Sequence, residues 1–521
     1  MVKEKSTAFL KGTISLSISV IVTKILGVAF KVPLSYVVGD EGMGYFNTAY
    51  AIYGFFYILC TAGVPKSLTI LLRGRSGESC EYDNRFILKC GLRLFTKIGL
   101  FATLLNIVCA PAFAKFIGNT NATLSIILIA PSIFFVSLGG VLRGYLNSYE
   151  KLIPIAVSQL LEGASKLALG LLFAFIGVRM SAPIYVVSAL AISGITVGSA
   201  LSFAYMLFVS FFNNKGLNYR QKCALERKSI SAKILKNAIP IALSSSLLNL
   251  SSTIDLTVII KRLVDNGMSE INANSIYGNY TTLAVPMFTL VVSVLTPIST
   301  SYMPRLSEFA GIGHMASFKK EFDKLLLITL LISVPASIVF WFYSFDLLDV
   351  LFSVQSSALG ADMLVCLSCG LSLLTSLTVV NTALESMGKV GIAVGSLTIG
   401  AITKFVVSYL LVGNTSLGIL GAPVGTVISY AVSLIISLTA LEISGVKSRV
   451  ILKTLFLYLI GVASFCPMYK LIYSTGAGGD PIISMGLSIF ASCIVYGILL
   501  MIAYLFKEKR IMFKMHKKQL G

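Results

Sequence analysis

The chain has 521 residues, of which 56% are hydrophobic and 12% charged, and its mean hydropathy is +0.87. Long apolar stretches recur from end to end, which excludes a soluble globular protein and predicts a polytopic membrane protein. The formal net charge of +20 does not point to nucleic acid, because the Lys and Arg residues lie in short loops between apolar spans rather than on one folded face.

In chain order, Met1 to Lys11 is basic and leads into a span longer than a signal-peptide core, with no small-residue cleavage site. That predicts an uncleaved first helix. The first span, 10–36, carries Lys24 and Lys31. A buried ammonium costs roughly 2.5 to 3.5 kcal/mol on insertion scales and usually faces a polar cavity. Seven residues apart, the two lysines fall about 20° out of register on one helix face, a face suited to an anion. Further spans are expected over 45–72, 91–113, 122–146, 152–177, 182–212, 234–260, 276–303, 325–351, 358–385, 390–413, 417–444, 450–473 and 483–506, making fourteen.

Basic loops alternate along this count as the positive-inside rule requires when the N- and C-termini are both cytoplasmic. Lys115, Arg179, Lys261, Arg262 and Lys470 fall outside, while Lys24, Lys31, Lys66, Arg93, Lys97, Lys166 and Lys404 fall within spans. The nine cysteines follow no disulfide or metal spacing; Cys366 and Cys369 lie in an apolar span without further ligands and are expected to be packed, reduced thiols.

An internal repeat joins the two halves. Phe9-Leu10-Lys11 matches Ile234-Leu235-Lys236, Tyr45-Phe46-Asn47 matches Tyr277-Gly278-Asn279, and Pro65 matches Pro297. Leu146 to Lys151 matches Leu384 to Lys389, and the same register carries Ser158 onto Ser396 and Lys166 onto Lys404. An even number of spans per copy makes the repeat parallel. The expected organisation is a six-helix lobe over 1–233, a second over 234–446 arranged about a pseudo-twofold axis and a central cleft, and two extra helices with a basic tail over 447–521.

Several residues in spans are candidates for function. Lys24 is too deep to snorkel and is expected to line a cavity, whereas Lys31 either lines it or snorkels outward. Lys66 follows the Gly63-Val64-Pro65 break, where disturbed backbone lines cavities, but it also lies near the inner end. Glu162 and Lys166, four apart, are expected to pair on one face. The second copy has Gly400 in place of Glu162, which predicts a free cationic wall residue at Lys404. Ser245, Asn249 and Ser252 form a polar stripe ahead of Asp255, either bonding neighbouring helices or facing the cavity. The repeat register puts Asp255 opposite Phe30, beside Lys31, and predicts a Lys31–Asp255 gate. Pro240, Pro286 and Pro297 mark bends or ordinary kinks. Gly39, Gly42 and Gly44 read as a tight turn rather than a phosphate cradle.

Gly27-x-x-Phe30-Lys31-x-Pro33-Leu34, Gly39-x-x-Gly42-x-Gly44, Ala49-Tyr50-x-x-Tyr53 and Gly63-Val64-Pro65 resemble the opening of the stage V sporulation protein B family. Leu142-Arg143-Gly144-Tyr145 and Pro154-x-Ala156-x-Ser158-Gln159-x-x-Glu162 extend the match. This resemblance implies the two-lobe, alternating-access fold of the multidrug/oligosaccharidyl-lipid/polysaccharide exporter superfamily. It also implies movement of an undecaprenyl-pyrophosphate-linked, lipid II-like precursor across the bacterial cytoplasmic membrane, in cell-wall growth, polysaccharide export or sporulation. Lys24 and Lys31 match basic positions of the family's cationic cavity, where Arg is common. Lys keeps the charge but loses bidentate pairing. Asn147-Ser148 stands where the family often has Gln-Gly.

The expected partners are therefore a lipid-linked anionic oligosaccharide and membrane lipids, with no nucleic acid, no cofactor or metal, and a monomeric chain. A coupling ion, H+ or Na+, is left open. The competing reading is a cation-coupled multidrug antiporter of the same superfamily, which calls for acidic cavities. An enzyme acting on lipid-linked sugars is disfavoured, because His314 and His516 lie outside the spans and no intramembrane carboxylates are paired.

Overall fold

The computed structural model describes residues 2–61, 63–73, 80–149, 151–212, 227–352, 354–414, 417–446, 450–475 and 481–519. All of its regular elements among these residues are helical. The hydropathy that keeps the chain out of water also dictates this, since a backbone crossing lipid must satisfy its own N–H and C=O groups.

Helix α1 (Val2–Thr61) is two helices joined at Gly39, whose φ of 64° and ψ of −175° lie in a region that L side chains avoid. Its arms, 2–38 and 40–61, account for two of the expected spans. Short α2 (Val64–Arg73) follows the break at Gly63. Helices α3 (Cys80–Ile117) and α4 (Thr123–Ser148) are linked through Gly118 and Asn119, and α5 (Leu152–Arg179) and α6 (Ile184–Phe212) form a tightly packed pair. Helix α7 (Arg227–Asp265) is followed by α8 (Glu270–Asn279), whose N-terminus is capped by the Ser269 hydroxyl accepting from the Asn272 N–H. A widened five-residue turn, Tyr280–Ala284, carries the chain from α8 into α9 (Val285–Gly311). The remaining helices are α10 (Met315–Asp349), α11 (Val354–Ser386), α12 (Val390–Val412), α13 (Gly421–Ile443), α14 (Val450–Thr475) and α15 (Pro481–Gln519).

Twelve helical stretches among the described residues are long and apolar enough to cross a membrane, from 21 to 41 residues each. The count differs from the expected fourteen for two reasons. The stretch Ile18–Ile58 runs through the Gly39 break as one 41-residue unit, about 60 Å at 1.5 Å per residue and twice a bilayer's hydrocarbon thickness. The expected span over 234–260 falls in α7, where the side chains of 240–252 lie outside the described residues.

Packing divides the chain into two compact units: Met1–Thr282 with Ala401–Gly425, and Leu283–Gly400 with Thr426–Gly521. Repeat and packing therefore cut the chain at different places, because α1 packs closely on both α7 and α8. In the first unit a core of Val64, Leu68, Ile87, Leu142, Met206 and Ile234 is fully or almost fully buried. The second has its own core, built on Phe318, Phe322, Leu326, Leu384, Leu441 and Phe465.

In the first unit, α1 and α8 touch backbone to backbone. A methyl group on Gly44 would fall on the Asn274 carbonyl, and one on Gly278 would fall on the Asp40 carbonyl. This approach lets a polar clasp form. The Asn119 amide donates to Thr48 Oγ1 at 2.9 Å and to Asn274 Oδ1 at 2.6 Å, and Asn274 Nδ2 donates to the Glu41 carbonyl at 2.7 Å. Beside it, Asn47 Nδ2 donates to Thr282 Oγ1 at 2.8 Å and Asn279 Nδ2 to Asp40 at 3.1 Å. Buried amides are costly unless bonded in this way, so the clasp fixes the second arm of α1 against α8.

Candidate functional site

The charges singled out in the sequence converge in the first unit, and most find partners other than those expected. Lys31, on the first arm of α1, donates from Nζ to the Thr281 carbonyl oxygen at 2.9 Å. The acceptor belongs to the widened Tyr280–Ala284 turn, a departure from α-helical geometry that recurs at functional sites. Lys31 therefore does not close a gate with Asp255 in this structure. Asp255 instead accepts at Oδ2 from Lys404 Nζ, at 2.8 Å, with side-chain exposures of 9% and 2%. Lys404 is thus not the free wall cation expected from the Gly400 position: its charge is neutralised inside the unit.

A similar exchange occurs at Glu162. Its Oε2 accepts from Arg143 Nη2 at 2.8 Å, and Arg143 lies close enough to Tyr57 to act on it electrostatically. Glu162 still acts on Lys166 through space, but the contact expected from their i,i+4 spacing goes to the guanidinium, whose directional donors suit a carboxylate better than an ammonium does. Lys166 sits over aromatic faces, with Nζ 4.7 Å from the Tyr50 centroid, 5.3 Å from Phe30 and 5.9 Å from Phe46. All three distances lie within reach of a cation–π attraction.

Behind this ammonium, Phe46, Tyr50, Tyr53 and Tyr57 form a row of rings along the second arm of α1, with successive centroids 6.1, 5.9 and 5.6 Å apart. The spacing of four, three and four residues keeps them on one face. Lys24 is exposed and lies close enough to act electrostatically on Tyr50, while Lys31 and Lys166 repel one another.

The charge balance follows. Lys24, Lys31, Arg143 and Lys166 bring four basic groups to this neighbourhood against the single carboxylate of Glu162, a formal excess of three. Among the described residues no carboxylate lies within ion-pair distance of Lys24, Lys31 or Lys166. Holding charges of this kind within a membrane span costs several kcal/mol each unless an anion or water meets them. The side chains of Lys66, Asn249, Ser245 and Ser252 lie outside the described residues.

Arg143 was not singled out for function by sequence reasoning, although it stands in the Leu142-Arg143-Gly144-Tyr145 motif within α4. Its place inside the expected span 122–146 was the available signal. The three rings around Lys166 come from both arms of α1, so no sequence spacing announces them.

In the repeat expected from the sequence, Lys404 corresponds to Lys166 and Asp255 to Phe30; in the structure Lys166 lies over Phe30 and Lys404 bonds Asp255.

The all-helical fold, with twelve stretches among the described residues long and apolar enough to cross a membrane, together with the matches that follow, is that of a membrane transporter of the multidrug/oligosaccharidyl-lipid/polysaccharide superfamily. The family model described as polysaccharide biosynthesis protein matches residues 9–310, and the chain belongs to that family. A second model, MatE, matches residues 240–410. The chain is similar to stage V sporulation protein B of Bacillus subtilis (strain 168), 24% identical over 513 residues that cover 96% of this chain and 97% of the relative. It is also similar to lipid II flippase MurJ of Bacillus subtilis (strain 168), 23% identical over 476 residues, covering 87% and 86%. Among solved structures, lipid II flippase MurJ in an inward closed conformation shares the fold, with a TM-score of 0.74 at 16% identity, covering 96% of this chain and all of that one.

Proposed function

We propose that this protein is an alternating-access flippase that moves a lipid-linked anionic saccharide, of the undecaprenyl-pyrophosphate class, across the bacterial cytoplasmic membrane. One observation carries the reading: four basic side chains, Lys24, Lys31, Arg143 and Lys166, gather around the single carboxylate of Glu162, which Arg143 already engages. A diphosphate supplies the missing negative charge, and the electrostatic field of such a cluster favours anionic cargo. The names of the relatives, a lipid II flippase and a sporulation protein, support the same class of substrate.

In this reading Lys24 and Lys31 hold the diphosphate, with Lys66 and Asn249 as further contacts. The chain crosses the membrane fourteen times as a monomer with both termini cytoplasmic; the count treats the arms of α1 as two spans and adds α7. The two repeat copies, 1–233 and 234–446, move as lobes, and 447–521 adds two helices and a basic tail. Lys31 and Asp255 exchange partners between states, since among the described residues Lys31 bonds a backbone carbonyl and no carboxylate. Proteoliposomes containing the full chain and fluorescent lipid II test the proposal. Protein-dependent protection of the label from an external reagent is the expected result; transport of small organic cations without lipid movement would support a multidrug antiporter instead.

A further inference from the structure

We infer that Lys166 sets the charge sign of the cargo: its ammonium is the built-in occupant of a three-ring aromatic cage, so the site excludes organic cations and keeps a positive charge for an anion. The anion half of this inference rests on the proposed function; the cage half does not.

The cage is made by Phe30, Phe46 and Tyr50, whose centroids lie 5.3, 5.9 and 4.7 Å from Lys166 Nζ. Phe30 and Phe46 are fully buried, and Tyr50 is 39% exposed, so the cage has two closed walls and one open one. Converging aromatic faces recognise quaternary ammonium groups through the negative potential above each ring. Left empty, this cage would attract such cations. A tethered ammonium fills it and inverts its preference, an instance of specificity built by excluding the wrong ligand.

The second repeat copy provides the internal contrast. There the equivalent lysine, Lys404, meets Asp255 at 2.8 Å and its charge is cancelled, because Asp255 occupies the position that Phe30 holds in the first copy. Phe30 offers Lys166 attraction without neutralisation. Glu162, one turn away on α5, closes its contact with Arg143 instead. The first copy therefore keeps a charge that the second neutralises, and the residue that meets the lysine differs, Phe30 against Asp255.

The test uses the purified full chain in lipid nanodiscs, with tetramethylammonium and undecaprenyl pyrophosphate as probes. Lys166→Ala is expected to gain saturable tetramethylammonium binding that the wild type lacks, and to lose about tenfold in affinity for undecaprenyl pyrophosphate. Lys166→Arg, which refills the cage with a cation, should behave as the wild type with both probes. Phe30→Asp, which installs the pairing of the second copy while keeping Lys166, should also lose about tenfold for undecaprenyl pyrophosphate and gain no tetramethylammonium binding.

A monodisperse Lys166→Ala protein that takes up no tetramethylammonium would overturn the inference, as would unchanged pyrophosphate affinity in both Lys166→Ala and Phe30→Asp. If Lys166→Ala does not fold, Phe30→Asp decides: lost affinity supports the inference and retained affinity refutes it. A wild type that binds no undecaprenyl pyrophosphate, together with a Lys166→Ala variant that gains tetramethylammonium, would uphold the cage and remove the proposed cargo.

Discussion

Removing Lys404 should be among the most destabilising single changes in this protein. The ammonium is 2% exposed and 2.8 Å from Asp255 Oδ2. At that distance the Coulomb attraction is about 6 kcal/mol for an effective dielectric constant of 20, and it is largely consumed by the cost of taking both ions out of water. The intact pair is therefore worth little, but a broken one is not: Lys404→Met leaves the Asp255 carboxylate buried without its counterion, at a cost of about 3 to 5 kcal/mol. Asp255→Leu takes away the carboxylate that neutralises the Lys404 ammonium and should also destabilise the chain. The double variant removes both charges and should recover most of the loss, giving a coupling energy of about 3 kcal/mol or more in a double-mutant cycle. Thermal unfolding of the detergent-purified proteins, monitored by dye-free fluorimetry with the elution profile of each variant, measures this. Single variants that melt with the wild type, or a double variant no better than the worse single one, would refute the reasoning.

Other expected outcomes follow from contacts in the same unit. Arg143→Gln breaks the 2.8 Å bond to Glu162 and frees that carboxylate for Lys166, so undecaprenyl pyrophosphate affinity should fall about tenfold, whereas Glu162→Gln should preserve or raise it; equilibrium binding checks both. Gly278→Ala places a methyl group on the Asp40 carbonyl where α1 and α8 touch, a clash costing about 1 to 3 kcal/mol or more, read as lost monodisperse yield. Asn274→Leu removes the acceptor of Asn119 and the donor to Glu41 in the clasp. It should destabilise the chain by about 1 to 3 kcal/mol, with faster hydrogen exchange of α8 amides as the readout.

Much of the fold was legible because hydropathy, basic loops and punctuation agree. The Gly63-Val64-Pro65 interruption and the order of apolar spans are local properties of the chain, and the helices lie close to where they predict; the tight turn expected over Gly39, Gly42 and Gly44 is a break at Gly39 alone, because Gly42 and Gly44 stand in the helix that resumes at 40 and serve its close packing. Lys24, Lys31 and Lys166 could be singled out for a similar reason, since the cost of a charge inside an apolar span is a property of one residue in its window. Partner choice was not legible. The i,i+4 spacing of Glu162 and Lys166 is real, but Arg143, nineteen positions earlier, offers the carboxylate a better directed donor once α4 and α5 stand together. The expected repeat sets Asp255 at the place of Phe30 and so suggests Lys31 as its neighbour; a later stretch of it, at a different offset, sets Lys404 at the place of Lys166, and the observed contacts are Lys166 over Phe30 and Lys404 on Asp255. Three-dimensional competition among several cations for two carboxylates decides these pairings, and no window of sequence contains it.

The most direct test of the central claim, that the excess positive charge beside the first repeat copy receives an anion, is a cryo-electron microscopy structure of the wild-type chain in nanodiscs with undecaprenyl pyrophosphate. The claim predicts diphosphate density within hydrogen-bonding reach of Lys31 and facing Lys24 and Lys166, with the Lys404–Asp255 pair intact. Diphosphate bound at Lys404 after displacement of Asp255, with Lys24, Lys31 and Lys166 unoccupied, would contradict it.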